Sequence, residues 1–293
     1  HGIFGKTTKG QNLRNLFPKM KNLPNILISD YLEFNFSNTD LIFSCLPHGE
    51  FQQEIIFNLD DKIPIIDLSG DFRLNDILEY EYFYKTKHKS KKKFNRFVYG
   101  LSEIYKNEII KSKFVANPGC YPTSVLIPLL PLLKKKIIDK DHIVIDSKSG
   151  VSGAGKKPKN ENLLSELSEN FFSYNIFEHK HYPEIKQELG KFSKNISFTF
   201  IPNLLPVFSG IQSTIYLSKN NLDQSDVLNA LQSFYKKEPF IKFFKNEEIP
   251  KLSDVRGTNN VALKVFTDYA QKKIIIISCI DNLIKGAAGQ AIQ

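Results

Sequence analysis

The sequence predicts an α/β protein in two parts, a parallel-sheet unit followed by an α+β unit with a mainly antiparallel sheet. Two observations carry this. Before Cys120 the apolar runs are short and stop at small or polar turns, DLIFSCL at Pro47-His48-Gly49 and IPIIDL at Ser69-Gly70-Asp71. After Cys120 the runs lengthen, and several alternate with polar residues, as in ISFTFI (196–201) and GIQSTIYL (210–217). Strands ending in Gly, Ser, Asp or His and separated by helical stretches fit parallel βαβ units, whereas alternation fits a sheet with one wet face.

In order, strands are predicted at Asp40–Leu46, Ile63–Leu68 and Phe114–Asn117, with helical spacing over Glu50–Leu59. Ligands of such sheets bind beyond the carboxyl ends of the strands, so the PHG and SGD turns are candidate ligand loops. In VANPGCYPTS (115–124), Asn-Pro-Gly signals a turn, and Pro122 fits the first turn of a helix starting at Tyr121 or Pro122. Pro128 and Pro131 are expected to kink or interrupt that helix. Further strands are predicted at Ile143–Ser147, Ile196–Ile201, Gly210–Leu217, Val261–Thr267 and Lys273–Cys279. Helices are expected near Asn162–Leu167, Glu184–Phe192 and Gln224–Lys236, and in the Ala- and Gly-rich tail Asp281–Gln293.

At 293 residues the chain is long enough for two cores. Its longest apolar candidate, Val125–Leu133, falls well short of the roughly 18 residues a membrane span needs and carries two prolines. No signal peptide is visible, and the expectation is a cytoplasmic protein with no membrane partner. The net charge of +9 comes mostly from dispersed lysines, densest in KTKHKSKKKFNR (85–96), which reads as a solvated loop. No aromatic platform or DNA-binding motif accompanies it, so no nucleic-acid partner is expected. The three cysteines lack metal-ligand spacing and are odd in number, which argues against zinc and against a disulfide framework. Cys45 and Cys279 sit in apolar runs and read as small buried hydrophobes.

Cys120 has different neighbours. A helix start beside it would supply unpaired N–H groups and the positive dipole end, which lower a thiol pKa and can hold an oxyanion or phosphate. The stretch Glu178-His179-Lys180-His181-Tyr182-Pro183-Glu184 offers two histidines suited to proton transfer near neutral pH. SGVSGAGKK (149–157) follows a strand and could approach a phosphate through its backbone.

These stretches resemble the N-acetyl-γ-glutamyl-phosphate reductase family. The likeness runs through CLPHG (45–49), IDLSGDFRL (66–74), YGLSE (99–103), ANPGCYPTS (116–124), SGVSGAGK (149–156), HKHYPEI (179–185), IPNLLPV and GIQST within 201–214, and DNLIKGAAGQAIQ (281–293). The last motif is shared with the wider aspartate-semialdehyde dehydrogenase superfamily. The resemblance implies a Rossmann-type NADP domain, residues 1–119 with 281–293, and a catalytic and dimerisation domain, residues 120–280. It implies Cys120 as nucleophile and His179 or His181 as acid–base partner. Pro47, His48, Gly49, Ser149, Gly150, Ser152, Gly153, Asn282 and Gly286 would line the NADP site, and Asn117, Arg73 and Glu184 would meet substrate. A homo-oligomer and two small-molecule ligands, an acyl phosphate and NADPH, follow by the same likeness; no metal does.

Family members begin with a strand and a GxxGxxG loop, which this sequence lacks. Gly2–Gly10 resembles the segment just after the second strand, and the chain stops inside the last motif, so a fragment lacking both termini is expected. Asn203 stands where a histidine is common, Ser209 where an arginine often precedes Gly-Ile, and Ser102 where proline is usual. Two alternatives remain open at this point. One is a reductase of aspartyl or carrier-linked aminoadipyl phosphate. The other is a non-catalytic remnant of the fold.

Overall fold

A computed structural model describes residues 2–20, 22–155, 160, 163–218, 224–268, 270 and 272–293. Four parallel strands form the first sheet: β1 (Ile42–Ser44), β2 (Ile65–Asp67), β3 (Val98–Tyr99) and β4 (Phe114–Ala116), in the order β1-β2-β4-β3. Ser44, Asp67 and Ala116 are in register, so the PHG, SGD and NPG turns leave the sheet side by side. Adjacent carboxyl ends are where a parallel sheet places its ligands. Phe51, Ile56, Phe72 and Phe114 fill the core beneath.

The second sheet has seven strands: β5 (Ile143–Gly150), β6 (Phe172–Ser173), β7 (Phe198–Leu205), β8 (Ile211–Ser218), β9 (Ile241–Phe243), β10 (Val261–Asp268) and β11 (Lys273–Ile280). Their order is β6-β7-β5-β8-β11-β10-β9, parallel only at β7/β5 and β10/β9. The Cys120–Lys134 helix packs on β8 and β11 and against the Tyr182–Gly190 and Gln224–Phe234 helices. Every residue from Tyr121 to Leu133 is buried, which explains an apolar run without amphipathic spacing.

Several expectations need correction. The Cys120–Lys134 helix is not interrupted by Pro128 or Pro131. Pro131 has no N–H for the Ile127 carbonyl four residues back, and the buried Tyr235 hydroxyl donates to it instead at 2.5 Å. Glu50–Leu59 is not a regular α-helix but a π turn, Phe51–Ile55, running into a 3-10 turn, Ile56–Asn58. Cys279 is buried as expected, but Cys45, one residue past β1, is exposed. The basic run is only partly solvated: His88, Ser90 and Phe94 are buried, and Lys93 donates to the Ile56 carbonyl (2.8 Å) and pairs with Asp61 (3.0 Å). The tail folds as a π turn, Ile284–Ala288, and a short helix, Gly289–Ile292. Asn162 and Lys156–Lys157 lie outside the described residues. Among those described, no helix is long and apolar enough to cross a membrane.

Candidate active site

Cys120 opens its helix, with Gly119 as N-cap in extended conformation (φ −67°, ψ 156°). The strand β4 and the Asn-Pro-Gly turn deliver it there. Glu184, fully buried, fixes the turn: its Oε1 accepts from the Gly119 N–H (2.8 Å) and the Tyr99 hydroxyl (2.7 Å). Its Oε2 lies 3.5 Å from Arg73 Nη1. Arg73 donates through Nε to the Asn117 carbonyl (2.7 Å) and through Nη2 to the Leu68 carbonyl (2.8 Å), tying the SGD turn to the cysteine turn. Asn117 Nδ2 donates to the Ala287 carbonyl at 3.1 Å, which joins the tail to the same place.

Both histidines reach this turn. A methyl group on Gly119 would lie 2.5 Å from His181 Nε2 and 3.0 Å from Arg73 Nη1, so the imidazole and the guanidinium close on the residue preceding Cys120. The His181 amide donates to His179 Nδ1 (3.0 Å), which places the proton of neutral His179 on Nε2. The two rings are 4.9 Å apart and Tyr121 stands edge-on to both. Two buried atoms here, His181 Nδ1 and Asn117 Oδ1, have no hydrogen-bond partner among the described residues. Unpaired buried polar groups in a site of this kind point to a ligand.

Burial dominates the titrations. It pushes His179 down to about 3, with Lys180 adding to the fall. It pushes His181 down too, aided by His179, Arg73 and Lys180. Both rings are therefore neutral at ordinary pH. Burial raises the Cys120 thiol, whereas Arg73, the Tyr121 amide and Lys180 pull it down. The helix start suggested a lowered thiol; desolvation outweighs it. Burial also raises Glu184 against the pull of Arg73.

The cofactor candidates form two groups. Ser149, Gly150, Ser152, Gly153 and Asn282 gather around the Val207–Gly210 segment, and Gly286 lies against Cys120. Asn282 Oδ1 accepts from the Gly210 N–H (2.7 Å), and its Nδ2 donates to Ser152 Oγ (3.0 Å). A methyl on Gly150 would meet the Val207–Ser209 backbone at 2.8 Å, and one on Gly153 would meet Ser149 Oγ at 2.8 Å. One on Gly286 would lie 2.7 Å from Cys120 Cβ. Glycine at these places lets neighbouring chain segments pack against one another and against Cys120 more closely than any side chain would allow. Pro47, His48 and Gly49 form the second group, beyond β1. Gly49 (φ +93°) donates its N–H to buried Asp71 (2.8 Å), and the His48 ring is 5.4 Å from Tyr84. Among the described residues no cluster of His, Cys, Asp and Glu could hold a metal.

Of the residues flagged as departures, Asn203 has a structural role. Asn203 Nδ2 donates to Asp146 (2.6 Å), and its Oδ1 accepts from Ser173 (2.5 Å), joining β6 to β7. The Ser209 carbonyl accepts from Arg256 at 3.0 Å. Sequence reading missed Tyr99, Tyr174 and the buried Lys285–Glu103 pair. Tyr99, Glu103 and Lys285 do lie in motifs, YGLSE and DNLIKGAAGQA, but only the fold brings those motifs together.

A parallel-sheet unit followed by an α+β unit on a mainly antiparallel sheet is the two-domain division of the semialdehyde dehydrogenases. Residues 2–112 match the semialdehyde dehydrogenase NAD-binding domain, and residues 120–282 match the dimerisation domain. Aspartate semialdehyde dehydrogenase II of Vibrio cholerae shares the fold, with a TM-score of 0.74 at 17% identity over 100% of this chain and 87% of that one. The Candida albicans aspartate semialdehyde dehydrogenase, solved with NADP, gives 0.69 at 15% identity, over 100% and 88%. A probable chloroplastic N-acetyl-gamma-glutamyl-phosphate reductase of Arabidopsis thaliana is 43% identical over 97% of this chain and 71% of its own length. The Caldicellulosiruptor bescii N-acetyl-gamma-glutamyl-phosphate reductase is 44% identical over 94% and 80%. The chain belongs to the N-acetyl-γ-glutamyl-phosphate reductase family.

Proposed function

We propose that the protein reduces N-acetyl-L-glutamyl 5-phosphate to N-acetyl-L-glutamate 5-semialdehyde with release of phosphate, a step of arginine biosynthesis, through a thioester on Cys120. The observation that carries this reading is the junction at Gly119, where Arg73 and His181 close on the residue that precedes Cys120 at its helix start. Cys120 Sγ bonds to the acyl carbon, the bond from that carbon to the phosphate oxygen breaks, and His181 carries the thiol proton to the departing phosphate. NADPH, when bound along Ser149–Gly153, Asn282 and Gly286, supplies the hydride that reduces the thioester carbonyl. The carbon–sulfur bond then breaks, the aldehyde leaves, and Cys120 retains the electron pair until it takes up a proton from solvent through His181.

Of the two histidines, His181 is the acid–base partner in this reading, because its ring lies against the residue preceding the nucleophile and its Nδ1 is buried without a partner among the described residues. His179 orients it and faces the adjoining cavity. Arg73 and Glu184 act as positioning residues, since their polar groups are largely spent within the protein, and the Arg73 charge favours the thiolate; Asn117, whose Oδ1 has no partner among the described residues, meets the substrate. Residues 1–119 with 281–293 act as the cofactor domain, and 120–280 as the catalytic and dimerisation domain. The open face of the second sheet, where Tyr216 is 41% exposed, supports pairing with a second copy.

The test is NADP reduction with N-acetylglutamate 5-semialdehyde and phosphate. Activity that requires phosphate and falls at least about 1,000-fold in Cys120→Ser supports the reading; wild-type rates in that variant sink it. Aspartate 4-semialdehyde, run alongside, tests the nearest rival substrate.

A further inference from the structure

The reaction places the acyl carbon at Cys120, but the substrate's other end carries an α-carboxylate and an acetamido group that must lie elsewhere. A cavity of about 300 Å³ adjoins the site. Its walls include Phe83, Gly153, Tyr174, His179 and Leu204. It borders the reaction centre directly: the Tyr174 hydroxyl is 3.1 Å from that of Tyr121, the residue after the nucleophile, and the His179 ring is 4.9 Å from His181. The volume is at the low end for small-ligand pockets and suits a short acyl amino acid. The wall is of mixed polarity, with Phe83, Phe172 and Leu204 beside Tyr174, Asn175 and His179, so a carboxylate that loses part of its hydration there is best held by a cation.

Lys180 is the one cation among the described residues that line this cavity, and Glu178 is the one anion. Lys180 lies between the two histidines in sequence, and its charge is felt at Cys120, His179 and His181, so it bears on the reaction centre and not only on bulk solvent. We propose that this cavity is the subsite for the substrate's amino-acid end and that Lys180 pairs with the α-carboxylate, making it a specificity-determining residue. Glu178 repels a carboxylate, which confines that group to the Lys180 side and leaves the acetamido group against Phe83, Tyr174 and Leu204. The inference rests on the reaction proposed above.

The test compares two aldehydes in the phosphate- and NADP-dependent direction: N-acetylglutamate 5-semialdehyde and 4-acetamidobutanal, which is the same molecule without the α-carboxylate. Wild type should prefer the first by about 10- to 100-fold in kcat/KM, the range expected of a hydrogen bond to a charged group. Lys180→Met should abolish that preference by losing activity on the carboxylated aldehyde alone, and Lys180→Arg should largely keep it. Equal losses on both aldehydes in Lys180→Met, or a wild type indifferent to the carboxylate, would overturn the subsite and leave the reaction standing. A folded wild type inactive on both would overturn the reaction and the subsite with it.

Discussion

Gly119→Ala isolates the contact between the nucleophile's turn and its acid–base partner. Gly119 has φ −67° and ψ 156°, a conformation alanine adopts without strain, so the backbone contributes almost nothing to the effect. The added methyl would sit 2.5 Å from His181 Nε2, 2.7 Å from its Cδ2 and 3.0 Å from Arg73 Nη1. Ordinary contact begins near 3.4 Å, so the imidazole must retreat by about 0.9 Å. His181 is buried and packed on Tyr121 and His179, which leaves it little room. Overpacking of this kind costs about 1–3 kcal/mol of stability, and a displacement of about 1 Å at a reacting group costs about 100-fold in rate. Thermal unfolding and steady-state kinetics read the two separately. The expected result is a kcat lowered by about two orders of magnitude, with the KM for NADPH little changed. A folded Gly119→Ala enzyme with wild-type kcat would refute the placement of His181 against this turn as a requirement of catalysis.

Other consequences follow from buried charge. Lys285 and Glu103 are both fully buried and paired, with Gln293 bridging them, so Lys285→Met strands a carboxylate. It should lose about 3–5 kcal/mol and roughly 10 °C of Tm, most of it restored in the Glu103→Gln/Lys285→Met double variant; no recovery in the double variant would contradict the pairing account. Stability should also fall in acid. Burial holds His179 at about 3 and His181 below the ordinary 6.5, so between roughly pH 6.5 and 3 the unfolded chain binds protons that the folded chain excludes. Their contribution is fully present above about pH 6.5 and is lost at about 1.4 kcal/mol per pH unit per histidine as pH falls. Denaturant titrations at stepped pH should show this slope, and the His179→Asn/His181→Asn variant should flatten it; an unchanged slope in that variant would count against buried neutral rings.

Most strands of both sheets were legible in the sequence, because each rests on a local signal, short apolar runs closed by small residues or longer alternating ones, whereas β3, β6 and β9, of two or three residues, carry no such signal. Cys120 was legible for the same reason, since a turn, a small residue and Pro122 mark a helix start without tertiary information. What escaped depended on partners distant in sequence. Pro131 reads as a helix breaker until Tyr235 supplies the missing donor, 104 residues away in the chain. The thiol reads as acidified until burial is known, and desolvation appears only when the second unit closes over the turn. Asn203 reads only as a residue where histidine is common, until Asp146 and Ser173 show it occupied in joining β6 to β7. Glu184 looked like a substrate contact from its motif; in the fold its carboxylate holds the Gly119 amide, Tyr99 and Arg73.

The central claim is that Cys120 takes the acyl group from the phosphate before any reduction occurs. Incubating the folded protein with N-acetylglutamyl phosphate in the absence of NADPH, followed by intact-mass and peptide-mapping mass spectrometry, tests it most directly. An adduct of one N-acetylglutamyl group, mapped to Cys120 and absent from Cys120→Ser, is the predicted result. An unmodified Cys120, or an adduct on Cys45 instead, would contradict it.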